Sequence, residues 1–414
     1  MRFFAVASTN TGHNGTVTDG TFAISNPESQ NDFGYRAVHL STIFSKVVVQ
    51  NFYAKKAKKS YWIGCSSGGK QGLKEVQAFP EDFDGVLAGA AAQWWTHLNG
   101  WTMESNLRNA PTTDGFMNAS DWALIEEHTL KECDMLDGVQ DRIIGNPLVC
   151  KPNFDSLRCS QDQLRNASSN LAIPSCLTSQ QISVARSAFE DWVDHDGEFL
   201  FPGFTYGSET FGPMGMFMNE ITLPLAMDFF KYQVLVSWIT RMRPIADKTN
   251  PGQTNAIDGN ILPFINRGGK LMTYTGMAGQ LTSVSPSKSI TADDMKTLGR
   301  DPRESYRLFP VPGMGHCGGG PGPTNIGAAS QTELPRNSTL QSYSFLPEDD
   351  MMLALIEWTE NGKAPDHLVA TKFVNGLKDE GVQFQRKLCP WPLVAKYNGY
   401  GDSNSHHSYE CKDQ

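Results

Sequence analysis

The sequence has no long apolar run, and only 39% of its 414 residues are hydrophobic. A membrane-spanning helix needs about 20 consecutive apolar residues, so we predict a globular protein without transmembrane helices. The chain also lacks an excess of positive charge, because its formal net charge at pH 7 is −9. Nucleic acids and anionic membranes attract basic surfaces, and the composition therefore argues against both as partners.

No two cysteines have the C-x-x-C spacing that is typical of zinc sites and redox motifs. The chain nevertheless has eight cysteines, together with four N-x-S/T sequons that begin at Asn14, Asn118, Asn166 and Asn337. Disulfides and N-glycans both belong to oxidising compartments, so these features predict a secreted glycoprotein. Cysteine order alone leaves the disulfide connectivity open.

The first residues do not read as a signal peptide. The apolar stretch in M-R-F-F-A-V-A is too short for a secretory leader and runs directly into polar residues. We interpret residues 3–7 as a buried β-strand and the chain as an N-terminally truncated form of a longer protein.

Apolar residues alternate between helical and strand-like spacing along much of the chain. The predicted elements are, in order, a helix at 35–54, a strand at 60–63, a helix at 72–79, strands at 83–90, 269–276 and 307–311, and a helix at 351–358. This order predicts a mostly parallel sheet with right-handed crossovers, and therefore an α/β fold. The pattern stops between the fourth and fifth elements, which predicts a catalytic domain of residues 1–91 and 259–414 and a lid domain of residues 92–258.

Two short motifs lie about 250 residues apart in the sequence. The first, G-C-S-S-G, contains Ser66 and matches the G-x-S-x-G pattern that exposes a serine on a strained strand-to-helix turn. The second, G-H-C-G, contains His316, which could act as the base for that serine. A disulfide holds two Cα atoms about 5.5 Å apart, so a bond between Cys65 and Cys317 would bring the two motifs together.

These motifs and two further segments resemble the fungal tannase and feruloyl esterase family. The further segments are D-F-G-Y-R-A-V-H at residues 32–39 and F-P-E-D-F-D-G at residues 79–85, and the histidine motif continues as G-H-C-G-G-G-P-G. The likeness covers essentially the whole chain. It implies a secreted α/β-hydrolase fold with a large inserted lid domain.

The resemblance also implies ester hydrolysis through a serine nucleophile. Ser66 would attack the ester carbonyl, His316 would accept its proton, and the backbone N–H of Ser67 would contribute to the oxyanion hole. The implied substrate is a small aromatic ester of the feruloyl or galloyl type, and the implied reaction uses no organic cofactor. We therefore predict a carboxylic ester hydrolase that forms an acyl-enzyme on Ser66.

The triad acid is missing from the position where the family has it. A segment that resembles G-x-A-D-Q-L reads G-M-A-G-Q-L here, so Gly279 stands at the aspartate position. Losing that carboxylate costs serine hydrolases on the order of 10⁴ in kcat. Asp293, Asp294 and Asp301 are candidate substitute carboxylates, although none stands at the strand end, and the second oxyanion donor is expected from a loop upstream of Met1. The alternative prediction is a catalytically impaired or inactive relative.

An acidic loop lies within the predicted lid. Residues 133–143 read C-D-M-L-D-G-V-Q-D-R-I, which offers alternating oxygen ligands and a turn glycine to a hard cation such as Ca²⁺. A solvated acidic loop is the other interpretation of the same pattern. The resemblance implies a structural calcium ion whose ligands are the side chains of Asp134, Asp137 and Asp141 and the carbonyl groups of Val139 and Ile143.

The resemblance further implies a complete set of disulfides, namely Cys65–Cys317, Cys133–Cys150, Cys159–Cys176 and Cys389–Cys411. Three neighbouring tryptophans, Trp94, Trp95 and Trp101, have two interpretations. They line a pocket for an aromatic substrate, or they pack in the core at the lid hinge.

Overall fold

The computed structural model describes residues 4–16, 19–166, 176–215, 222–234, 242–279, 301–329 and 343–413. The α-helices within these ranges are α1 (Pro27–Asn31), α2 (Ala37–Tyr53), α3 (Ser67–Ala78), α4 (Trp95–Arg108), α5 (Ala119–Cys133), α6 (Gln161–Asn166), α7 (Ser179–Phe189), α8 (Thr222–Asp228), α9 (Met242–Thr249), α10 (Leu262–Asn266) and α11 (Met351–Asn361). None of these helices combines the length and the apolar character that crossing a membrane requires.

The strands are β1 (Tyr61–Cys65), β2 (Gly85–Gly89), β3 (Trp192–Val193), β4 (Phe199–Phe201), β5 (Lys270–Gly276), β6 (Tyr306–Val311), β7 (Leu368–Phe373), β8 (Val382–Leu388), β9 (Val394–Tyr397) and β10 (Tyr409–Lys412). Four of them form a parallel sheet in the order β1-β2-β5-β6. This sheet confirms the predicted α/β fold. The remaining strands pair as antiparallel ribbons, β3 with β4, β7 with β8 and β9 with β10.

Both faces of the parallel sheet are buried. Side chains from successive residues alternate between two hydrophobic cores, so that Leu87, Met272 and Phe309 face α11 while Val86, Leu271 and Leu308 face α3. A sheet that is covered on both faces needs nearly continuous apolar strands, and the strand sequences have that character. The carboxyl ends of these strands meet at one edge of the sheet, where Ser66 follows β1.

The segment between β2 and β5 has a hydrophobic core of its own, formed largely by side chains of α4, α5 and α7. Trp122, the largest of its fully buried side chains, has no exposed surface. Trp95 and Trp101 belong to the same core, with 4% and 3% exposure, so the core-packing interpretation is confirmed for these two. Trp94 is partly buried, and its ring stacks on that of His97 with a centroid distance of 3.7 Å.

All eight cysteines are paired, and the pairs are the four that the resemblance implies. Their Cα–Cα distances are 6.0 Å for Cys65–Cys317, 5.5 Å for Cys133–Cys150, 4.8 Å for Cys159–Cys176 and 5.6 Å for Cys389–Cys411. Three of these disulfides close short loops, whereas the first links residues 252 positions apart.

The prediction of a buried strand at residues 3–7 is wrong for the residues that the structure describes. Residues 4–7 form no strand, and Phe4 and Val6 are 41% and 65% exposed. The rings of Phe4 and Tyr61 of β1 pack edge to face with their centroids 6.1 Å apart, but no backbone ladder joins residues 4–7 to β1. An apolar run becomes a strand only when its backbone groups find partners, which the sequence pattern does not report.

Helix α2 forms where it is predicted, but its apolar stripe is not buried. Leu40, Phe44 and Phe52 are 53%, 70% and 79% exposed, and Val38 is the fully buried residue of this helix. The 3.6-residue period identifies a helix and an apolar face, but it does not say what covers that face.

Leucine-to-alanine substitutions in α2 and in the buried helix α11 test the exposure of the apolar stripe of α2. Leu355 of α11 has no exposed surface, so Leu355→Ala should lower the free energy of unfolding by about 2–5 kcal/mol through cavity formation. Leu40→Ala is the matched control in α2 and should change it by less than about 0.5 kcal/mol. Urea unfolding followed by circular dichroism measures both, and equal losses would contradict the exposure of α2.

Candidate active site

Ser66 lies at the turn between β1 and α3. Its backbone angles, φ 62° and ψ −120°, are ones that residues other than glycine rarely adopt. Two hydrogen bonds hold this conformation: the Ser66 N–H donates to the Gly89 carbonyl over 3.0 Å, and the Ala92 N–H donates to the Ser66 carbonyl over 3.2 Å. The strained turn therefore has the geometry of a nucleophile elbow.

Two glycines make this turn sterically possible. A Cβ atom on Gly64 would lie 2.5 Å from the Gly68 carbonyl oxygen, and one on Gly69 would lie 2.3 Å from the Gly89 carbonyl oxygen. Both distances are too short for a side chain, so α3 can leave the sheet this closely only with glycine at these positions.

The disulfide between Cys65 and Cys317 joins opposite edges of the sheet. Cys65 ends β1, whereas Cys317 follows β6, and the two strands are separated by β2 and β5. Three strand spacings amount to roughly 14 Å, so the loop after β6 crosses the carboxyl edge of the sheet to reach β1. The Cα–Cα distance of 6.0 Å places the loop that carries His316 beside the turn that carries Ser66.

His316 is partly buried, and both of its ring nitrogens are shielded from solvent. Neither nitrogen has a hydrogen-bond partner among the described residues, which means that no bond to Ser66 is formed in this structure. Burial lowers the pKa of His316 to about 4, because the imidazolium ion loses its hydration. The imidazole is therefore neutral at pH 7 and able to accept a proton.

Gly279 follows β5 and runs beside the histidine loop. The Ala278 N–H donates to the Met314 carbonyl over 2.8 Å, and the Met277 N–H donates to the Val311 carbonyl over 2.9 Å. Within the described ranges, no carboxylate accepts a hydrogen bond from His316. The turn that carries residue 279 thus lies where an acid for the histidine would be expected, and glycine provides none.

The substitute acids divide into two groups. Asp301 is bound to Arg303 on the surface, with a nitrogen-to-oxygen distance of 2.9 Å and 40% of its side chain exposed. The ion pair with Arg303 therefore does not place Asp301 on His316, whose ring nitrogens have no hydrogen-bond partner among the described residues. Asp293 and Asp294 lie outside the described residues.

Ser67 is the first residue of α3. The first four N–H groups of a helix have no partner within the helix, and its amino terminus carries a partial positive charge. The Ser67 N–H is therefore suited to stabilising negative charge that develops next to Ser66.

Lys70, one turn after Ser66, is a residue whose unusual setting the sequence does not reveal. It has no exposed surface, and its ammonium nitrogen lies 4.1 Å from the ring centre of Phe33 and 4.6 Å from that of Trp95. Burial, followed by the charge of Lys74, lowers the pKa of Lys70 to about 7. The only sequence signal for it is a lysine in the glycine-rich start of α3.

The acidic loop connects α5 to the following turns. The Asp137 carboxylate accepts a hydrogen bond from the Val139 N–H, and the Asp141 carboxylate accepts one from the Ile143 N–H, each over 3.0 Å. Burial, together with the negative charges of Asp141 and Asp134, raises the pKa of Asp137 to about 6.

Two arginines border the acidic loop. Arg386 is paired with Asp141, whereas Arg142 points away from the loop and is paired with Glu127 on the surface. The three aspartate carboxylates do not all lie within 4.8 Å of one another. Their donor set is nevertheless made of oxygen alone, and Gly145 leaves room for Asp137, since a Cβ atom there would lie 2.3 Å from a carboxylate oxygen. These oxygen donors are of the type that a hard cation prefers, and Arg386 occupies Asp141 in this structure.

Comparison with known proteins adds a consistent set of matches. The family model described as "Tannase and feruloyl esterase" matches residues 1–227 and 215–412. A probable feruloyl esterase B-1 from Aspergillus oryzae is 33% identical over 421 residues, which cover 99% of this chain and 74% of that protein.

Two solved structures are similar throughout. An esterase from Aspergillus oryzae superimposes with a TM-score of 0.87 and 32% identity, covering 97% of this chain and 78% of its own. Feruloyl esterase B from Aspergillus oryzae gives a TM-score of 0.85 and 31% identity with the same coverage. Both agree with the α/β-hydrolase fold predicted from the sequence.

Proton NMR of the imidazole groups tests the isolation of His316. We expect His316 to titrate with a pKa of about 4 because it is buried without a carboxylate. Gly279→Asp should raise this pKa, since a neighbouring negative charge favours imidazolium, whereas Gly279→Asn should leave it unchanged. A value at or above the ordinary range of histidine in the unmodified chain would show that another acid already serves the ring.

Proposed function

The chain belongs to the tannase and feruloyl esterase family and is a carboxylic ester hydrolase, and we propose that it cleaves phenolic-acid esters through an acyl-enzyme on Ser66. The observation that carries this proposal is the strained Ser66 turn, held beside the His316 loop by the Cys65–Cys317 disulfide. The similar proteins named feruloyl esterase support aromatic acyl groups of the feruloyl or galloyl type.

Acyl transfer proceeds in two steps. The Ser66 hydroxyl oxygen attacks the ester carbonyl carbon while the neutral His316 ring takes the hydroxyl proton. The ring then gives that proton to the alcohol oxygen as the ester bond breaks. In the second step His316 takes a proton from a water molecule as that water attacks the carbonyl carbon of the acyl-Ser66 ester. His316 then gives the proton to the Ser66 oxygen as the acyl–oxygen bond breaks and the free phenolic acid leaves. The Ser67 N–H stabilises the oxyanion of both tetrahedral intermediates.

The missing acid limits the rate of this reaction. His316 must become positively charged in the transition state, and its surroundings disfavour that charge. In serine hydrolases the carboxylate that stabilises the imidazolium and orients its ring is worth about 10⁴ in kcat. Gly279 supplies neither contribution, so we expect slow ester hydrolysis, and a catalytically impaired or inactive relative is the alternative function.

Residues 92–258 act as a lid on this site. Their core contacts the catalytic half of the chain, because Phe33 packs against Trp95 with ring centres 5.7 Å apart. The Thr205 hydroxyl also donates a hydrogen bond to the carbonyl of Met277, two residues before Gly279. The lid therefore contacts the catalytic half both at Phe33 and close to Gly279, where the acid is missing. This position allows the lid to select the aromatic acyl group of the substrate.

A structural calcium ion held by the acidic loop would brace this lid. Asp134, Asp137 and Asp141 would provide carboxylate oxygens, and Val139 and Ile143 would provide carbonyl oxygens. Support comes from the oxygen donors gathered in this loop and from Gly145, where a Cβ atom would lie 2.3 Å from a carboxylate oxygen of Asp137. The Cys133–Cys150 disulfide closes the same region and limits how far the loop can open.

The protein acts outside the cell. Four disulfides require an oxidising compartment for their formation, and the sequons at Asn14 and Asn118 lie in exposed segments where glycans can be attached. The sequon at Asn337 lies outside the described residues.

Hydrolysis of methyl ferulate and a gallate ester by four variants tests the catalytic assignment. Ser66→Ala should abolish activity, while Ser67→Ala should keep it, because residue 67 acts through its backbone. Gly279→Asp should raise kcat by up to about 10⁴, and Gly279→Asn should not. Activity that survives in Ser66→Ala would overturn the nucleophile, and an unchanged rate in Gly279→Asp would overturn the account of the missing acid.

Calcium binding is tested by thermal unfolding with and without added CaCl₂. The ion should raise the Tm of the unmodified chain, and Asp137→Asn should remove the increase by removing a ligand charge. Asp196→Asn is a matched control, because Asp196 lies on the surface outside the acidic loop. A calcium-dependent Tm that persists in Asp137→Asn would contradict this site.

A further inference from the structure

A second group of metal-ligand side chains lies outside the acyl-transfer site. His39 of α2, Glu75 of α3 and Asp82 of the turn before β2 each offer one ligand atom, and these atoms all lie within 4.8 Å of one another. Glu75 is nine residues beyond Ser66, which is roughly 13 Å along α3. Ester hydrolysis therefore does not use this group.

Glu75 is the most unusual member of the group. It is 1% exposed, and neither carboxylate oxygen has a hydrogen-bond donor among the described residues. Its carboxylate lies beside that of Asp82, because the ligand oxygens of the two residues are within 4.8 Å of each other. Two buried carboxylates that face each other require a proton or a cation between them.

The neighbouring basic side chains, His39 and Lys46, do not donate a hydrogen bond to Glu75. The Nδ1 atom of His39 lies 2.6 Å from a carboxylate oxygen of Asp82. The ammonium group of Lys46 donates to the backbone carbonyls of Asp82 and Glu81, over 2.5 and 3.3 Å, rather than to a carboxylate. Among the described residues, Lys46 thus attracts Glu75 electrostatically, but no basic side chain donates a hydrogen bond to its carboxylate.

We infer that His39, Glu75 and Asp82 bind a divalent transition-metal ion of the zinc type. One imidazole nitrogen and two carboxylate oxygens match the ligands that zinc prefers, and tetrahedral geometry leaves a fourth position for water. Zinc bonds of about 2.0–2.1 Å place ligand atoms about 3.3 Å apart, so the short His39–Asp82 contact opens when the ion enters.

The residues around the site orient the His39 ring and leave a path by which an ion can enter from solvent. The His39 ring stacks on the Phe79 ring, with centroids 3.7 Å apart and an interplanar angle of 14°. Its side chain is 25% exposed, whereas that of Asp82 is 9% exposed, so an ion can enter from solvent past His39. Glu75 closes the inner side of the site.

The bound ion would join α2 to α3 and to the turn before β2. Helix α2 has one fully buried residue, Val38, and exposes most of its apolar stripe. A metal that links α2 to α3 and to the turn before β2 would stabilise the helix against local unfolding.

The test uses the full chain, stripped with a chelator and dialysed against zinc sulfate in excess calcium, which occupies the acidic loop. Elemental analysis should find one zinc ion per chain, and the Tm should rise with zinc. His39→Gln and Glu75→Gln should weaken zinc binding by about tenfold or more. His195→Gln is the matched control, because Asp194, His195 and Asp196 form a similar group on the surface.

Zinc that is lost in His39→Gln and Glu75→Gln and kept in His195→Gln is the expected result. A chain that retains no zinc overturns the inference and leaves a shared proton between Glu75 and Asp82. Zinc that persists in both variants, or disappears in His195→Gln, overturns it as well. Cobalt(II) provides a test without substitutions, since the unmodified chain should show the visible absorption of a four-coordinate site, and its absence contradicts the proposal.

Discussion

The covalent link between Cys65 and Cys317 is the constraint on which the active-site geometry depends. Strands β1 and β6 lie at opposite edges of the parallel sheet, so packing alone leaves their ends separated by two strands. The disulfide draws the loop after β6 across the carboxyl edge and fixes it at a Cα–Cα distance of 6.0 Å from the serine turn. Cys65 and Cys317 are the chain neighbours of Ser66 and His316, so the bond between them limits the movement of both residues.

The same site shows what the Cys65–Cys317 disulfide cannot supply. A disulfide sets the positions of two backbones, but it does not charge or orient an imidazole ring. His316 is shielded from water without a carboxylate among the described residues, and the low pKa of about 4 follows from that isolation. In the proposed mechanism the neutral imidazole can accept a proton at neutral pH, but the resulting imidazolium gains little stabilisation. The disulfide thus holds the proposed nucleophile and base on neighbouring turns, and Gly279 adds no electrostatic support.

The sequence predicts those parts of the fold that depend on local patterns. The apolar runs around Val86 and Leu271 identify buried parallel strands, and G-C-S-S-G identifies the strained turn, because each pattern reflects a constraint within a few residues. The exposure of α2 and the absence of a strand at residues 4–7 depend on partners elsewhere in space. The His39–Glu75–Asp82 group is likewise invisible in sequence, since three common residue types spread over 43 positions carry no periodic signal.

Trapping the acyl-enzyme tests the central claim most directly. The chain is mixed with methyl ferulate, quenched in acid within the first turnovers, digested and examined by mass spectrometry. We predict a feruloyl group on the hydroxyl of Ser66, in the peptide that also contains Cys65, because slow proton transfer by His316 delays its hydrolysis. Ester hydrolysis accompanied by an acyl group on another residue, or hydrolysis that continues unchanged after Ser66→Ala, would contradict the account.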